Sequence, residues 1–360
     1  MSKLFKKLTG PLVSLFFLLN MTSTGYAETT VSAEIGFIFN TLLFLICGFL
    51  VFFMACGFAM LESGMVTSKS VSVICAKNIG LVSIAGIMFW MFGYNLAYGI
   101  PEGGYIGKFI PWSDASKIDT GYADGSDWYF QMVFCATTVS IVSGTLAERI
   151  KLWPFFLFAA ILSGILYPIV MGWQWGGGWL AVAGFSDFAG STLVHSTGGA
   201  AALAGAGGVL AAAVTTRLVF GKTDVIQMLN GCIGGLVAIT AEPLMPSPLA
   251  SILIGAVGGV IVVYGTKLLF SLKIDDVVGA IPAHLFAGIW GTLAVPITNS
   301  GASFGTQLLG VVSINAFVFI VSFIVWFLMK STFGIRLSKE GETKGTDVTE
   351  TGVIAYAIRD

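Results

Sequence analysis

Apolar residues in this 360-residue chain fall into long blocks separated by short polar stretches. Beyond the N-terminal segment there are nine such blocks, at about 35–62, 78–99, 127–148, 152–173, 190–216, 225–242, 248–270, 277–298 and 305–331. As a helix, a run of about 17 to 25 apolar residues covers the roughly 30 Å of a bilayer's hydrocarbon core, so each block predicts a spanning helix. The predicted fold class is therefore all-α: a polytopic membrane helix bundle with about nine spans.

The segment ahead of them has a different pattern. Lys3, Lys6 and Lys7 precede the short apolar run Pro11-Leu-Val-Ser-Leu-Phe-Phe-Leu-Leu19, and Gly25-Tyr-Ala27 precedes Glu28. A basic start, a short apolar centre and a small-residue cleavage site are the three parts of a secretory signal. Residues 1–27 are read as a signal peptide, 28–336 as the membrane domain and 337–360 as a cytoplasmic tail; the alternative for 1–27 is an uncleaved first helix. A cleaved signal places the mature N-terminus outside, in the periplasm of a two-membrane bacterium, with the protein in the inner membrane.

Basic residues test that topology. Lys69, Lys77, Arg149, Lys151, Arg217, Lys222, Lys267, Lys273, Lys330, Arg336, Lys339, Lys344 and Arg359 fall on the inner side, and only Lys108 and Lys117 on the outer. This is the bias expected of cytoplasmic loops. Asp114, Asp119, Asp124 and Asp127 give the long outer loop, roughly 100–126, either a modest cation-favouring field or simply a solvated surface.

Composition agrees with a membrane bundle. With 56% hydrophobic and 10% charged residues, the chain exposes too few charges for a soluble globule, in which about 25% is usual. A net charge of −1 gives no reason to expect nucleic acid. The five cysteines stand singly in apolar runs and read as packing residues, with no metal pattern. The 46 glycines, including Gly205, Gly208, Gly255 and Gly258-Gly259, suit close helix packing in lipid. No nucleophile–base pair, metal cluster or phosphate loop suggests an enzyme or a cofactor.

Two histidines carry the chemistry. His195 and His284 each lie within an apolar block, and each follows an aspartate by eight residues, Asp187 and Asp276. If helical throughout, that spacing is roughly 12 Å, which places both imidazoles near the bilayer midplane, where polar groups mark substrate or proton paths. Under the assigned topology the two Asp-x7-His segments run in opposite directions. This is the mark of an inverted repeat with its site between the halves.

Aromatic residues gather at the outer end. Phe130 and Phe134 are four apart on one helix face, and Trp173-Gln-Trp175-Gly-Gly-Gly-Trp179 comes after the fourth span. Such rings can hold a small cation by their quadrupoles, worth about 2 kcal/mol when desolvated, or can anchor the protein at the interface. Trp173 and Trp179 read as anchors. Trp175, with three glycines after it, reads as part of a site.

Together these residues resemble the ammonium transporter, methylammonium permease and Rhesus protein family, most closely its bacterial ammonium transporters. The matching stretches are Leu146-Ala-Glu-Arg-Ile150, Trp175-Gly-Gly-Gly178, Asp187-Phe-Ala-Gly-Ser-Thr-Leu-Val-His195, and Asp275-Asp-Val-Val-Gly-Ala-Ile-Pro-Ala-His284 with Ala287-Gly-Ile-Trp-Gly291. The resemblance implies a homotrimer with a narrow apolar pore in each subunit. It implies that Phe130 and Phe134 form the outer gate and recruitment aromatics, that Trp175 belongs to the outer cation site and that Asp187 shapes it. His195 and His284 match the twin histidines of the pore. It further implies that ammonium, with methylammonium as its analogue, is captured outside, loses its proton and passes the histidines as ammonia, since a bare ion is costly in an apolar bore. A cytoplasmic nitrogen-regulatory protein is an implied partner of the tail.

The sequence departs from the family in one place. Family members have eleven spans, whereas here Ala200-Ala-Ala-Leu-Ala-Gly-Ala206, like the fifth helix, passes directly into Gly207-Gly-Val-Leu-Ala-Ala-Ala-Val214, like the later part of the seventh. The sixth helix is missing from the pattern. The expectations are one continuous helix from Gly190 to Leu218, a pore wider on that side and weak or absent selective transport. The rival readings are an ammonium sensor and a non-conducting truncated subunit of the same fold.

Overall fold

The computed structural model describes residues 32–194 and 199–356. The 1–27 segment, His195 and Arg359 lie outside the described residues. Among those described, the architecture is helical, with a single isolated antiparallel bridge between Ile150 and Arg336.

Each predicted block contains a helix. These are α1 (Ala33–Met65), α2 (Ser68–Tyr98), α3 (Asp124–Thr145), α4 (Leu152–Ile161 continuing through Tyr167–Gln174), α5 (Gly199–Phe220), α6 (Val225–Ile239), α7 (Pro248–Ser271), α8 (Ile281–Thr298) and α9 (Phe304–Thr332). Six stretches are long and apolar enough to cross a membrane: α1, α2, Leu152–Val182 (which contains α4), α7, α8 and α9. The chain is thus a helical membrane protein. The starts are set locally by hydroxyl and carboxylate caps, Ser32 accepting from the Ile35 N–H, Asp224 from Gln227, Ser247 from Ala250 and Ser303 from Thr306.

Helices α1 to α4 pack together, and α5 lies along both α6 and α7. Glycines make the second contact possible. A Cβ on Gly208 would stand 2.1 Å from the Gly231 carbonyl oxygen, and one on Gly259 2.2 Å from that of Gly208. The small-residue pattern therefore marks the place where α5, α6 and α7 cross backbone to backbone. By contrast, α1 and α9 bury little; Phe39, Phe49, Phe53, Phe319, Phe323 and Phe327 are bare on their outer faces.

The fold corrects five expectations. Gly190 does not begin a helix, because residues 187–194 are irregular and α5 starts at Gly199. The Asp187 carboxylate instead accepts from the N–H groups of Gly190, Ser191, Thr192 and Leu193, taking donors that a helix would need. The helical rise behind the separation of roughly 12 Å therefore does not apply to residues 187–194. Nor does it hold for Asp276, because α8 begins only at Ile281.

Lys77, expected in an inner loop, lies inside α2 and is 1% exposed. It donates to the Ser143 carbonyl at 2.9 Å and stands 4.8 Å from the centre of the Phe155 ring. Ser143 Oγ in turn donates to Glu62 at 2.8 Å, so a carboxylate and an ammonium meet through one serine at the junction of α1, α2 and α3. Asp127, expected in the solvated outer loop, is also buried, and accepts from the Tyr94 hydroxyl at 2.6 Å. Trp173 is no interface anchor. It is buried against Phe317 and Trp179, with its indole N–H on the Tyr105 carbonyl.

Candidate functional site

A column of rings forms the upper part of the site. Tyr122 meets Phe44 edge-on at 4.8 Å between centroids, Phe44 lies 5.4 Å from Phe130, Phe130 meets Phe134 at 5.0 Å, and Phe134 meets Trp175 at 5.7 Å. The four-residue spacing on α3 brings Phe130 and Phe134 into direct edge contact. Phe44 comes from α1 and was not singled out in the sequence. Its signal was weak, one phenylalanine among many on an apolar helix, but Gly48, one turn on, lets α1 approach Tyr129.

Trp175 is positioned by the glycines that come after it. Gly177 takes φ +77°, and a Cβ on Gly176 would stand 2.1 Å from the Ala97 carbonyl, so the chain after the tryptophan can turn tightly against α2. The Trp175 indole N–H donates to the Asp187 carbonyl at 2.8 Å. The ring is thus fixed both by Phe134 and by the irregular segment that leads towards His195.

That segment is held on all sides. Four N–H donors converge on the fully buried Asp187 carboxylate. Ser191 Oγ donates to the Val237 carbonyl of α6, the Thr192 and Thr292 hydroxyls are hydrogen-bonded, and Gln307 of α9 clasps both the N–H and the C=O of Ser186. Asp187 acts here through the backbone it shapes, and among the described contacts it does not face the rings.

The second repeat is built by a related device. Asp276 accepts from the N–H groups of Ala280 and Ile281, tying down the chain where α8 starts. The first turn of α8, Ile281–Phe286, is a π turn and contains His284. Such turns are frequent at functional sites, because the extra residue redirects a side chain. His284 is buried, with its ring 5.8 Å from that of Phe58 on α1.

His284 lines two cavities. One, of about 320 Å³, is almost wholly apolar and lies between α1 and α6, bounded by Phe58, Leu61, Leu236, Val237 and Thr240. The other, of about 210 Å³, lies between α3, the 191–194 segment, α8 and α9, with Thr138, Thr192 and Asn315 among its walls. The imidazole therefore stands at a junction of two spaces able to hold a small neutral molecule. Phe130, Phe134, Trp175 and Asp187 form one connected constellation, and His284 joins it through the cavity lined by Thr192. His195 lies outside the described residues. Among those described, no group of three His, Cys, Asp or Glu side chains gathers as a metal site would.

Outside the bundle, electrostatics are ordinary. Hydrogen bonds from the Ser116 hydroxyl and N–H hold the exposed Asp114 carboxyl below the usual carboxylate range. Arg336 does the same for Glu342 at the other end of the molecule.

Comparison with known proteins gives a consistent picture. The sequence profile of the Ammonium Transporter Family matches residues 42–209 and 200–356. The ammonium transporter Amt2 of Archaeoglobus fulgidus is 31% identical, with 87% of each chain covered. In that alignment 87% of the 360 residues, about 313, are spread over 408 positions, so a sizeable part of the relative has no counterpart here. The ammonium transporter of Bacillus subtilis is 28% identical, over 88% of this chain and 98% of that one. A solved structure named Sensor Amt Protein superposes with a TM-score of 0.80 at 26% identity, covering 87% of this chain and 98% of that one. Saccharomyces cerevisiae Mep2, at 20% identity and a TM-score of 0.77 over 93% and 97%, shares the fold.

Proposed function

The chain belongs to the ammonium transporter family, and from that premise we propose that it conducts ammonium as ammonia across the inner membrane. A cation is recruited at Phe130, Phe134 and Trp175, gives up its proton, and passes as the neutral molecule along His195 and His284. The observations that carry this reading are the ring column that ends on Trp175 and the almost wholly apolar cavity that His284 lines. Quadrupoles attract a positive ion without a counter-charge that would trap it. Beyond the rings the walls reward loss of charge, because an ion there has little to replace its water.

The two family matches overlap at 200–209, where the sequence passes from one helix pattern to another. This supports a junction at which the sixth helix of the family is absent. The cavity between α1 and α6 has exposed walls at Gly57 and Leu229, consistent with a pore thinly closed between those two helices and with selectivity below that of eleven-span relatives. A homotrimer would cover the bare faces of some outer helices.

A second reading is ammonium sensing without conduction, favoured by the likeness to the structure named Sensor Amt Protein. Purified protein in proteoliposomes separates the two. Saturable uptake of labelled methylammonium that is lost in His284→Ala supports conduction. Methylammonium binding without uptake supports the sensor.

A further inference from the structure

Helix α9 is apolar along most of its length, and its Phe319, Phe323 and Phe327 are bare towards lipid. Asn315 lies within it, about 16 Å of helical rise beyond Phe304. A polar side chain at that depth is costly and marks either the pairing of two helices or a path for polar molecules. The pairing use is not the one made here. Among the described residues, the one hydrogen bond of Asn315 runs from its amide N–H back to the Val311 carbonyl of the same helix, at 2.8 Å.

Asn315 instead lines the chamber of about 210 Å³ between α3, the 191–194 segment, α8 and α9, which Thr138, Ser191 and His284 also border. The chamber has room for several molecules of water's size. Among the described residues that line it, none carries a carboxylate, an ammonium or a guanidinium.

Its hydrogen-bonding groups are mostly acceptors. The Thr138 hydroxyl spends its hydrogen on the Phe134 carbonyl at 3.1 Å, and the Ser191 hydroxyl spends its own on the Val237 carbonyl at 2.7 Å, because a carbonyl can only accept. Both oxygens keep lone pairs. With one N–H committed to Val311, Asn315 keeps its carbonyl oxygen and a second N–H. Acceptors on these side chains therefore outnumber the remaining donor. Neutral ammonia has the matching complement, three N–H donors and one lone pair, whereas water has two of each. Ammonium has no lone pair, and its charge would be left without a partner. Methylamine exchanges one N–H for a methyl group.

We propose that this side chamber holds ammonia on Asn315, and that Asn315 thereby sets a preference for ammonia over methylamine. The side-chain carbonyl accepts an N–H of the ligand, and the free amide N–H donates to its lone pair. The inference rests on the conduction reading, which brings neutral ammonia to His284, and it adds a residue outside the ring column and the histidines.

The test uses the full-length protein in two arms. In proteoliposomes, influx of isotopically labelled ammonium and methylammonium is compared for the wild type, Asn315→Leu and Asn315→Gln. Leucine keeps the branched shape without polar atoms, so the ratio of maximal rates, ammonium over methylammonium, should fall about fivefold, the worth of one hydrogen bond. The apparent KM should stay within about twofold of the wild type, because capture takes place at the rings. Asn315→Gln keeps the amide and should restore much of the ratio. In the second arm, solid-state NMR of protein with carbon-labelled asparagine, in heavy-nitrogen ammonium at alkaline pH, reads contact between ammonia and the side-chain amide. One asparagine should show it, and the signal should vanish in Asn315→Leu. Contact at Asn315 in a wild type that takes up nothing would leave the site standing and overturn conduction. Uptake with an unchanged ratio in Asn315→Leu, or with no contact in the spectra, would overturn this inference and leave conduction intact. So would equal losses of both influxes with a lowered Tm, the mark of a packing role.

Discussion

Replacing Trp175 separates its two attachments, a ring face towards Phe134 and an indole N–H on the Asp187 carbonyl at 2.8 Å. Trp175→Phe keeps a ring and removes the donor. Loss of one such bond costs about 1 kcal/mol, and more where the carbonyl left behind is shielded from water, so the cost should fall mainly on stability. Trp175→Leu removes the quadrupole as well. A desolvated cation–π contact is worth about 2 kcal/mol, but Phe130 and Phe134 stay in place, so we expect a loss of about 1–1.4 kcal/mol, or roughly five- to tenfold in affinity. The assay is concentration-dependent uptake and equilibrium binding of labelled methylammonium, alongside thermal unfolding in detergent. Trp175→Leu should raise the apparent KM by that factor, whereas Trp175→Phe should change it less than threefold while lowering Tm. An unchanged KM and binding constant in Trp175→Leu would refute the cation site and leave the residue as a packing element.

Other outcomes concern the buried polar groups and the tail. Lys77→Met leaves Glu62 buried without its cation and should cost about 3–5 kcal/mol, whereas the Glu62→Met, Lys77→Met double variant should recover most of that loss in denaturant unfolding. Asp187→Asn replaces an acceptor of four N–H donors by a side chain with one acceptor oxygen. It should destabilise the 187–194 segment by about 2 kcal/mol or more, read as faster hydrogen exchange at Gly190 to Leu193. Arg336 holds the Glu342 carboxyl below its usual value of 4.5, so this pair stabilises the tail above that pH and the contribution fades as pH falls through the lowered value. Limited proteolysis of the tail by an acid-active protease should therefore quicken only as the pH falls below 4.5 in the wild type, and Glu342→Gln should abolish that pH dependence.

Helix positions were plain in the sequence because lipid imposes its thickness on every apolar block. All nine predicted blocks contain a helix, with bounds shifted by a few residues in most. The failures occur where one polar side chain outweighs the local pattern. Residues 190–194 are apolar or small enough to read as helix, yet the Asp187 carboxylate collects their N–H groups. Lys77 counts as a loop cation by charge alone, and only the three-dimensional meeting with Ser143 and Glu62 shows why it is inside. Similarly, Phe130, Phe134 and Trp175 could be grouped from spacing and glycine content, whereas Phe44 and Phe58 sit on α1, where every turn carries a large apolar residue. Burial by a neighbouring helix distinguishes them, and that information is not local.

The central claim, that the ring column and the histidines form a conducting path, is tested most directly by labelled methylammonium uptake into proteoliposomes. Wild type should be measured beside His284→Ala and a full-length eleven-span relative. The account predicts saturable uptake by the wild type, slower or less selective than that of the relative, and its loss in His284→Ala with the folded protein retained. Uptake no greater than that of empty vesicles, in preparations that still bind methylammonium, would contradict it.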